Sequence, residues 1–246
     1  MRVGVIQSNY LPWKGYFDII HDVDLFVFYD DIQYTKNDWR NRNRVKTPSG
    51  PAWLTIPAGR DQRRRICDVE LPKDSWSRRH WRTLAQNYRG TPFFARYRDF
   101  LEDIYLSRRF THLSELNQFL IRHIAREVLG MTTRFADSRD YDLHGERMDR
   151  LQDLLLKVGA TCYVSGPSAR QYLDETSLRE ASIDLVYKDY SGYPEYAQPF
   201  PPFVHEVSIL DLLFCCGPDS ARPIWGWRRS PLAVRRATSP AVWSAP

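Results

Sequence analysis

The sequence lacks any apolar run long enough to cross a lipid bilayer. Apolar stretches such as LFVFY at residues 25–29 are far shorter than the roughly 18 to 20 residues that a transmembrane helix needs. The first ten residues, MRVGVIQSNY, alternate like a strand and lack the long apolar segment of a signal peptide. We therefore expect a cytoplasmic protein without membrane insertion.

Cysteine is also scarce, with four residues in the chain, and two of them, Cys215 and Cys216, are adjacent. Neither a disulfide framework nor a pair of CxxC motifs is visible, and the histidines show no HExxH spacing. We therefore expect reduced thiols and no bound metal. Nothing in the sequence indicates a particular cofactor.

The chain has what a folded core requires, since 43% of its 246 residues are hydrophobic. Its net charge is +5, and arginine far outnumbers lysine. Converging arginines bind phosphates or carboxylates through paired hydrogen bonds, whereas so modest a net charge does not by itself indicate nucleic-acid binding. These features favour a small-molecule anionic substrate as the partner.

The order of predicted elements indicates an α/β fold. A strand over residues 2–7, a short helix over 16–21 and a strand over 25–29 form a parallel βαβ opening. We predict a mostly parallel sheet of Rossmann-like character, with a nucleotidyltransferase-like architecture as one variant, and a helical insertion. The later elements follow: a hairpin (39–46 with 52–56), strands (132–136, 161–164, 184–187) and helices (145–158, 168–173, 208–216).

The same patterns divide the chain into four parts. Residues 1–73 form an N-terminal α/β part with a basic hairpin, and residues 74–130, which have helical periodicity, form the insertion. Residues 131–217 complete the α/β body. Residues 218–246 are rich in proline, arginine and tryptophan and lack periodicity, so we expect a peripheral or disordered tail.

Polar residues follow the first two predicted strands where each strand ends, and parallel sheets bind ligands at that edge. Gln7, Asn9 and Tyr10 follow the first strand, and Asp30 and Asp31 follow the second. Adjacent residues at a strand end point in different directions. We therefore expect one of the two carboxylates to act as a general base and the other to serve a turn or cap, with the choice open.

The segment PWKGY, residues 12–16, lies where nucleotidyltransferases have the HxGH motif, after the first strand and at a helix start. Trp13 and Tyr16 occupy the two histidine positions, so a stacking surface for a base or sugar is one interpretation. The other is that Pro12, Trp13 and Gly15 simply shape a tight strand-to-helix turn.

The stretch NDWRNRNRVK, residues 37–46, is dense in cations and carboxamides. In an extended conformation one face is basic, which suits a diphosphate or carboxylate. The alternative is a solvated edge strand protected by its charges. The substrate-binding candidates in this stretch are Asn37, Arg40, Asn41, Arg42 and Lys46.

Two later segments add candidates. Gly166, Ser168 and Arg170 lie at a strand-to-helix turn that suits an anionic group, although Ser168 also reads as a plain helix N-cap. His205 is a candidate acid or base because imidazole titrates near neutrality. The following Ser208-x-x-Asp211 is typical of a capping box.

Several strings of the sequence resemble the WbqC-like family: IQSNYLPWKGYFDII, DLFVFYDDIQYTKNDWRNRNRVK, YVSGPSARQYL and PFVHEVSILDLLFCCG. The resemblance extends from Val3 to about Gly217. It implies a role in gene clusters that build surface polysaccharides such as O-antigen, or comparable secondary metabolites.

From these features we expect an enzyme, a transferase or ligase, that acts on an activated substrate. That substrate is a nucleotide-linked sugar or an acyl or aminoacyl group, which a tRNA or a carrier protein would deliver. Asp30 or Asp31, His205 and Tyr10 are the catalytic candidates. The alternative is a non-catalytic module that binds a nucleotide sugar, a tRNA or a partner biosynthetic enzyme.

Overall fold

The computed structural model describes residues 1–59, 61–73 and 75–228. Its centre is a five-stranded sheet in which every neighbouring pair of strands runs parallel. The strands along the chain are β1 (Arg2–Ile6), β2 (Leu25–Phe28), β3 (Arg42–Thr47), β4 (Gly50–Thr55), β5 (Arg134–Asp137), β6 (Cys162–Ser165) and β7 (Asp184–Tyr187). The order across the sheet is β5-β2-β1-β6-β7. The predicted α/β fold with a mostly parallel sheet is confirmed.

The helices along the chain are α1 (Lys14–His21), α2 (Trp76–Tyr88), α3 (Phe94–Glu102), α4 (Leu113–His123), α5 (Arg147–Lys157), α6 (Glu175–Glu180) and α7 (Ile209–Cys216). Helices α2 to α4 lie between β2 and β5 and form the helical insertion. Asp74, where the prediction started the insertion, lies outside the described residues. The division of the chain into parts at residues 73, 130 and 217 stays a prediction.

The apolar run of β2 explains why helices cover both faces of the sheet. Successive side chains of a strand point to opposite faces. Phe26 and Phe28 accordingly pack with α1 and the insertion, whereas Leu25 and Val27 pack with Leu154 of α5 and other apolar residues on the opposite face. A strand buried on both faces has no polar alternation, as the sequence LFVF shows.

Strands β3 and β4 form an antiparallel hairpin beside the main sheet, paired from Arg42 opposite Thr55 to Thr47 opposite Gly50. Gly50 has φ +99°, a conformation that a side chain disfavours. The hairpin predicted from residues 39–46 and 52–56 is confirmed.

Two predictions for the C-terminal α/β part were inaccurate. The helix predicted over residues 168–173 is a 3₁₀ turn, Pro167–Gln171, with Gly166 at its N-cap, so Ser168 does not cap it. Helix α6 was missed because its six residues are too few for a periodic pattern. Its N-cap, Asp174, accepts hydrogen bonds from the backbone amides of Thr176 and Ser177.

The first part of the predicted tail packs against the body. Residues Gly217–Ala221 and Arg222–Gly226 form two helical turns. Ile224 is fully buried, and the Trp225 ring stacks on His21 at 4.0 Å between centroids. Tail residues 229–246, including Trp243, lie outside the described part of the chain.

No helix within the described ranges is long and apolar enough to cross a membrane.

Candidate functional site

Asp30 connects the ends of the two central strands. It follows β2, is fully buried, and its Oδ1 accepts a hydrogen bond from the backbone amide of Ser8, the second residue after β1, at 2.7 Å. Its Oδ2 accepts a hydrogen bond from Nε2 of Gln118 at 3.0 Å. Burial raises the pKa of Asp30, and the hydrogen bonds to its carboxylate only partly oppose this.

Gln118 extends this network to a third strand. Its Nε2 also donates to Oδ2 of Asp137, the last residue of β5, at 2.7 Å. Burial alone would raise the pKa of Asp137, but the hydrogen bonds from Arg139 and Gln118 outweigh burial and lower it. A cavity of about 640 Å³ adjoins Gln118 and Arg139 and is also lined by Cys67 and Arg122. One carboxamide of α4 therefore ties together the carboxyl ends of β2 and β5.

Asp31 points to a different set of partners, as expected for adjacent residues at a strand end. Its carboxylate pairs with the guanidinium of Arg150 on α5 and accepts a hydrogen bond from the Ser138 hydroxyl. Both contacts hold loops and helices in place. Asp31 is thus paired with Arg150 and Ser138, away from the Ser8 and Gln118 contacts of Asp30.

The loop after β1 is held against the basic stretch by three sets of hydrogen bonds. The backbone amide of Tyr10 donates to the Trp39 carbonyl at 2.9 Å. Nδ2 of Asn43 donates to the carbonyls of Tyr10 and Leu11, at 3.2 and 2.7 Å. Nδ2 of Asn117 on α4 donates to the Arg40 carbonyl at 2.8 Å.

Leu11 itself has φ +46°, a left-handed conformation that is uncommon for a residue with a branched side chain. The two Asn43 hydrogen bonds flank this point of strain. Strained backbone persists only where the surroundings fix it, and it is common at ligand sites.

Buried polar atoms without a hydrogen-bond partner among the described residues cluster in these segments. Most buried polar atoms in folded proteins are paired, so each exception needs a reason. Acceptors and donors are both present, which suits a polar ligand with groups of both kinds. The atoms here are Asn9 Oδ1, Arg40 Nε, Asn41 Oδ1, Arg42 Nε and Asn117 Oδ1.

The predicted aromatic residues of the first loop are packed into the protein. Tyr16 is buried, and its hydroxyl donates to the Gln7 carbonyl at 3.0 Å. Burial raises the pKa of Tyr16; the nearby Asp30 adds to this, and Arg40 opposes it. Trp13 lies edge-on to Tyr190 at 4.9 Å between ring centroids. The interpretation of PWKGY as a shaped strand-to-helix turn therefore describes Trp13 and Tyr16 better than an open stacking surface does.

Tyr10, a predicted catalytic residue, points into the helical insertion. Its fully buried hydroxyl lies 2.8 Å from His80 Nδ1 and 2.5 Å from the Tyr105 hydroxyl. Burial raises its pKa well above the ordinary value. Such a phenol stays protonated, so Tyr10 fastens the loop to the insertion.

The basic stretch separates into a half-buried part and a fully buried part. Arg42 and Arg44 lie over the ring of Trp53, with guanidinium carbons 4.2 and 5.8 Å from its centroid. Lys46 is almost fully buried, and its Nζ donates to the Pro202 carbonyl. The single basic face predicted for Arg40, Arg42, Arg44 and Lys46 is therefore interrupted at Lys46, which a loop covers.

The remaining residues of that stretch have local roles. Nδ2 of Asn41 donates to the Ile56 carbonyl at 2.8 Å and so joins the start of the hairpin to its end. Asn37 is exposed with φ +54°, a turn conformation that asparagine tolerates. Arg40 is half-buried, and its Nη1 lies 3.3 Å from Oδ2 of Asp38.

His205 belongs to a second cluster, around Lys14 at the start of α1. Lys14 is almost fully buried, and its Nζ lies 3.1 Å from Nδ1 of His205. Burial lowers the pKa of Lys14 to about 8. Burial, and then the neighbouring Lys14, lower the pKa of His205. The rings of Tyr193, Tyr196 and Phe203 surround the ammonium at 4.9, 5.5 and 5.6 Å.

The predicted capping box after His205 is only half present. Ser208 is the N-cap of α7, and its hydroxyl accepts a hydrogen bond from the Leu210 amide at 3.3 Å. Asp211 instead accepts hydrogen bonds from Tyr88, Tyr196 and Gln198, at 2.9, 2.7 and 2.7 Å. Burial raises the pKa of Asp211.

The turn after β6 is more exposed than the Asp30 network. Ser168 and Arg170 are exposed, and the Arg170 guanidinium lies 4.6 Å from the centroid of the Tyr187 ring. Gly166 is half-buried beside Tyr190. In the part of the chain that the structure describes, Gly166, Ser168 and Arg170 make no hydrogen bond to the Asp30 network. Because β1 and β6 pair in parallel with Gly4 opposite Val164, this turn lies at the same edge of the sheet as Gln7, whereas His205 belongs to the Lys14 cluster.

Ser8, Asn117 and Gln118 were missed by the sequence analysis. A signal for the last two was present, because two adjacent carboxamides interrupt the apolar stripe of α4 between Leu116 and Phe119. Polar residues on the buried side of a helix need partners, so such an interruption indicates a network.

No group of three or more His, Cys, Asp or Glu side chains placed to hold a metal ion occurs in residues 1–59, 61–73 or 75–228.

The fold and the polar cluster together define an α/β protein with a parallel sheet whose central strands end in a buried network of carboxylates, carboxamides and arginine. The chain belongs to the WbqC-like protein family, whose model matches residues 7–223. It is 46% identical over 221 residues to an uncharacterized protein of Mycobacterium tuberculosis, Rv1507c, across 89% of this chain and 95% of that relative. No solved structure matches.

Proposed function

We propose that this protein is an enzyme of glycan or secondary-metabolite biosynthesis, in an O-antigen-like or comparable pathway. It transfers or ligates a group from an activated, anionic substrate. The observation that carries the proposal is the group of buried polar atoms without partners in the described chain, on Asn9, Arg40 and Asn117. The resemblance to WbqC-like proteins supports the biosynthetic setting.

In this proposal, the substrate supplies the missing hydrogen bonds. Arg40 Nε donates to its anionic group, and Asn9 Oδ1 accepts from a hydroxyl or amine. Such contacts orient the reacting group, and a positioned, partly buried cation stabilises negative charge that develops in the transition state. Gln7, at the same strand end, is a further binding residue.

Asp30 is the proposed general base. Burial raises its pKa, and a base whose pKa lies nearer the working pH accepts a proton more effectively. Its hydrogen bonds from Ser8 and Gln118 fix the carboxylate in one orientation. Asp31, paired with Arg150, is assigned a supporting role.

A ligand screen followed by a turnover assay tests the proposal. Nucleoside diphosphates, nucleotide sugars and aminoacyl donors are tested for a rise in the melting temperature, and those that bind are incubated with candidate acceptors. Asp30→Asn should abolish product formation, seen by mass spectrometry, while binding remains. Turnover that survives in Asp30→Asn would remove Asp30 as the base.

A second candidate is a non-catalytic module that binds the same ligands. The full burial of Asp30 and the hydrogen bonds to both of its carboxylate oxygens favour this candidate, because neither oxygen is exposed to solvent as a catalytic group would be. The module predicts saturable binding without turnover for every acceptor. Affinity that falls steeply with salt would identify a polyanion such as a tRNA as its partner.

A further inference from the structure

An exposed groove lies on the outer face of the β3–β4 hairpin. It has a volume of about 350 Å³ and is lined by Asp38, Trp39, Arg42, Arg44 and Trp53. Trp39 and Trp53 are 40% and 44% exposed, far more than the tryptophans of the core. Large exposed aromatic surfaces next to a concave site are typical of binding surfaces.

The two indole rings lie 5.5 Å apart between centroids, at an interplanar angle of 43°. They contact each other and leave their outer surfaces to solvent. A planar ring can stack on such a surface, and a nucleobase gains about 1–3 kcal/mol from one aromatic platform.

The charge of the groove favours a phosphate beside that ring. Arg42 lies over Trp53 and has no carboxylate partner within the described residues, and its Nε is one of the buried atoms without a hydrogen bond there. Arg44 Nε donates to the Glu206 carbonyl at 3.1 Å, and its Nη2 lies 3.6 Å from the exposed carboxylate of the same residue. A guanidinium that stacks on an aromatic ring still presents its edge to an anion.

The groove is continuous with the proposed substrate site. Trp39 and Arg40 are neighbours in the chain; the Trp39 side chain lines the groove, and the Arg40 carbonyl accepts a hydrogen bond from the Asn117 amide, which also donates to the Ser8 carbonyl. A ligand with its ring on the tryptophans and its phosphates along Arg42 would extend its activated group toward Arg40.

We propose that the Trp39–Trp53 groove binds the base and phosphates of a nucleoside diphosphate, so that the activated substrate is nucleotide-linked. This inference rests on the proposed function and selects one of its substrate classes. The indoles take the base, and Arg42 takes the phosphates.

Calorimetric titration with UDP, ADP and GDP, and with uridine, adenosine and guanosine, tests the groove in the full-length protein. Trp53→Ala should weaken binding of the preferred diphosphate about ten- to hundredfold, as loss of one stacking platform predicts. Trp53→Phe should recover most of the affinity. Arg42→Gln should weaken the diphosphate strongly and the nucleoside little, because its partner is phosphate. Arg63→Gln, at an exposed arginine away from the groove, should bind like wild type.

Equal affinity in wild type and Trp53→Ala would overturn the groove assignment, and so would a nucleoside that binds as tightly as its diphosphate. Loss of binding in Arg40→Gln with full binding in Trp53→Ala would overturn the groove while leaving the proposed function intact. If no diphosphate binds but an aminoacyl donor is turned over, the groove proposal fails and the transferase proposal stands.

Discussion

Asp30 and Asp31 show how burial gives two adjacent acids different partners. A pair of aspartates after a strand most often marks a turn, and in this chain Asp31 fits that description through its contacts with Arg150 and Ser138. Asp30 differs because its two oxygens hold the next strand end and α4. Sequence could place both residues at the edge, but their separate roles depend on partners more than 80 residues away.

The raised pKa of Asp30 has a measurable consequence for stability. Its pKa in the folded state exceeds the value of about 4 in the unfolded chain, so between these two values the folded protein holds more protons. The Asp30 contribution to the free energy of unfolding therefore declines as pH rises from about 4. Urea unfolding at a series of pH values should show that the free energy of unfolding declines less steeply with pH in Asp30→Asn than in wild type. The exposed Asp184→Asn should keep the wild-type slope, and identical slopes in all three proteins would contradict the prediction.

For Lys14, we predict the opposite pH dependence: its contribution to the free energy of unfolding rises with pH in the alkaline range. Burial lowers its pKa from 10.5 to about 8, so above pH 8 the folded state loses this proton before the unfolded chain does. The Lys14 contribution to stability therefore rises with pH between about 8 and 10.5. Lys14→Met lacks this contribution. The free energies of unfolding of wild type and Lys14→Met should therefore converge between pH 7 and 9.5, because wild type loses its buried charge over this range. The control Lys36→Met, at an exposed lysine, should follow the pH dependence of wild type.

At the scale of elements, α1 begins where the loop after β1 turns, and Gly15 makes that turn possible. A Cβ on Gly15 would lie 2.3 Å from the Trp13 ring, too close for any real contact. The indole would have to leave Tyr190 and Tyr193, against which it packs edge-on. The glycine in PWKGY is therefore explained by local packing.

Gly15→Ala should accordingly lower the free energy of unfolding by about 1–3 kcal/mol, the range for an overpacked site. Gly90→Ala is the matched control, because nothing lies within 4 Å of its added Cβ. That variant should be neutral or slightly stabilising. Chemical denaturation gives the free energy of unfolding of both variants. Equal stability would mean that the Trp13 ring moves aside without cost.

Elements with strong patterns could be predicted from the sequence, and those fixed by distant contacts could not. The strand Asp184–Tyr187, the hairpin and the helix before Gly217 were placed within a few residues, because alternation and turn residues define them locally. The order of strands in the sheet and the network of Gln118 depend on contacts between distant segments. Among the candidate site residues, Asp30 accepts from the Ser8 amide at the end of β1, whereas Tyr10 and His205 face other partners.

At the scale of the whole molecule, the chain beyond Gly217 belongs in part to the body. Arg228 pairs with the buried Asp18 of α1 at 2.6 Å, and Ile224 is fully buried. A peripheral tail was predicted because this segment is rich in proline and arginine and its few apolar residues have no regular spacing.

Ile224→Ala should therefore lower the free energy of unfolding by about 2–5 kcal/mol, as for other fully buried aliphatic residues. Val186→Ala, at a position that is 36% exposed, should cost much less. Both are compared by urea denaturation. A cost no larger at Ile224 than at Val186 would show that the segment contributes little to the body.

The same α/β body carries the proposed binding site at the ends of β1 and β2, where the amide of Asn117 donates to the carbonyls of both Ser8 and Arg40. The most direct test is calorimetric titration of wild type and Arg40→Gln with the activated substrates that raise the melting temperature. We predict that Arg40→Gln weakens binding at least tenfold while its own melting temperature stays close to that of wild type. Equal affinities in the two proteins would contradict a substrate site at this edge of the sheet.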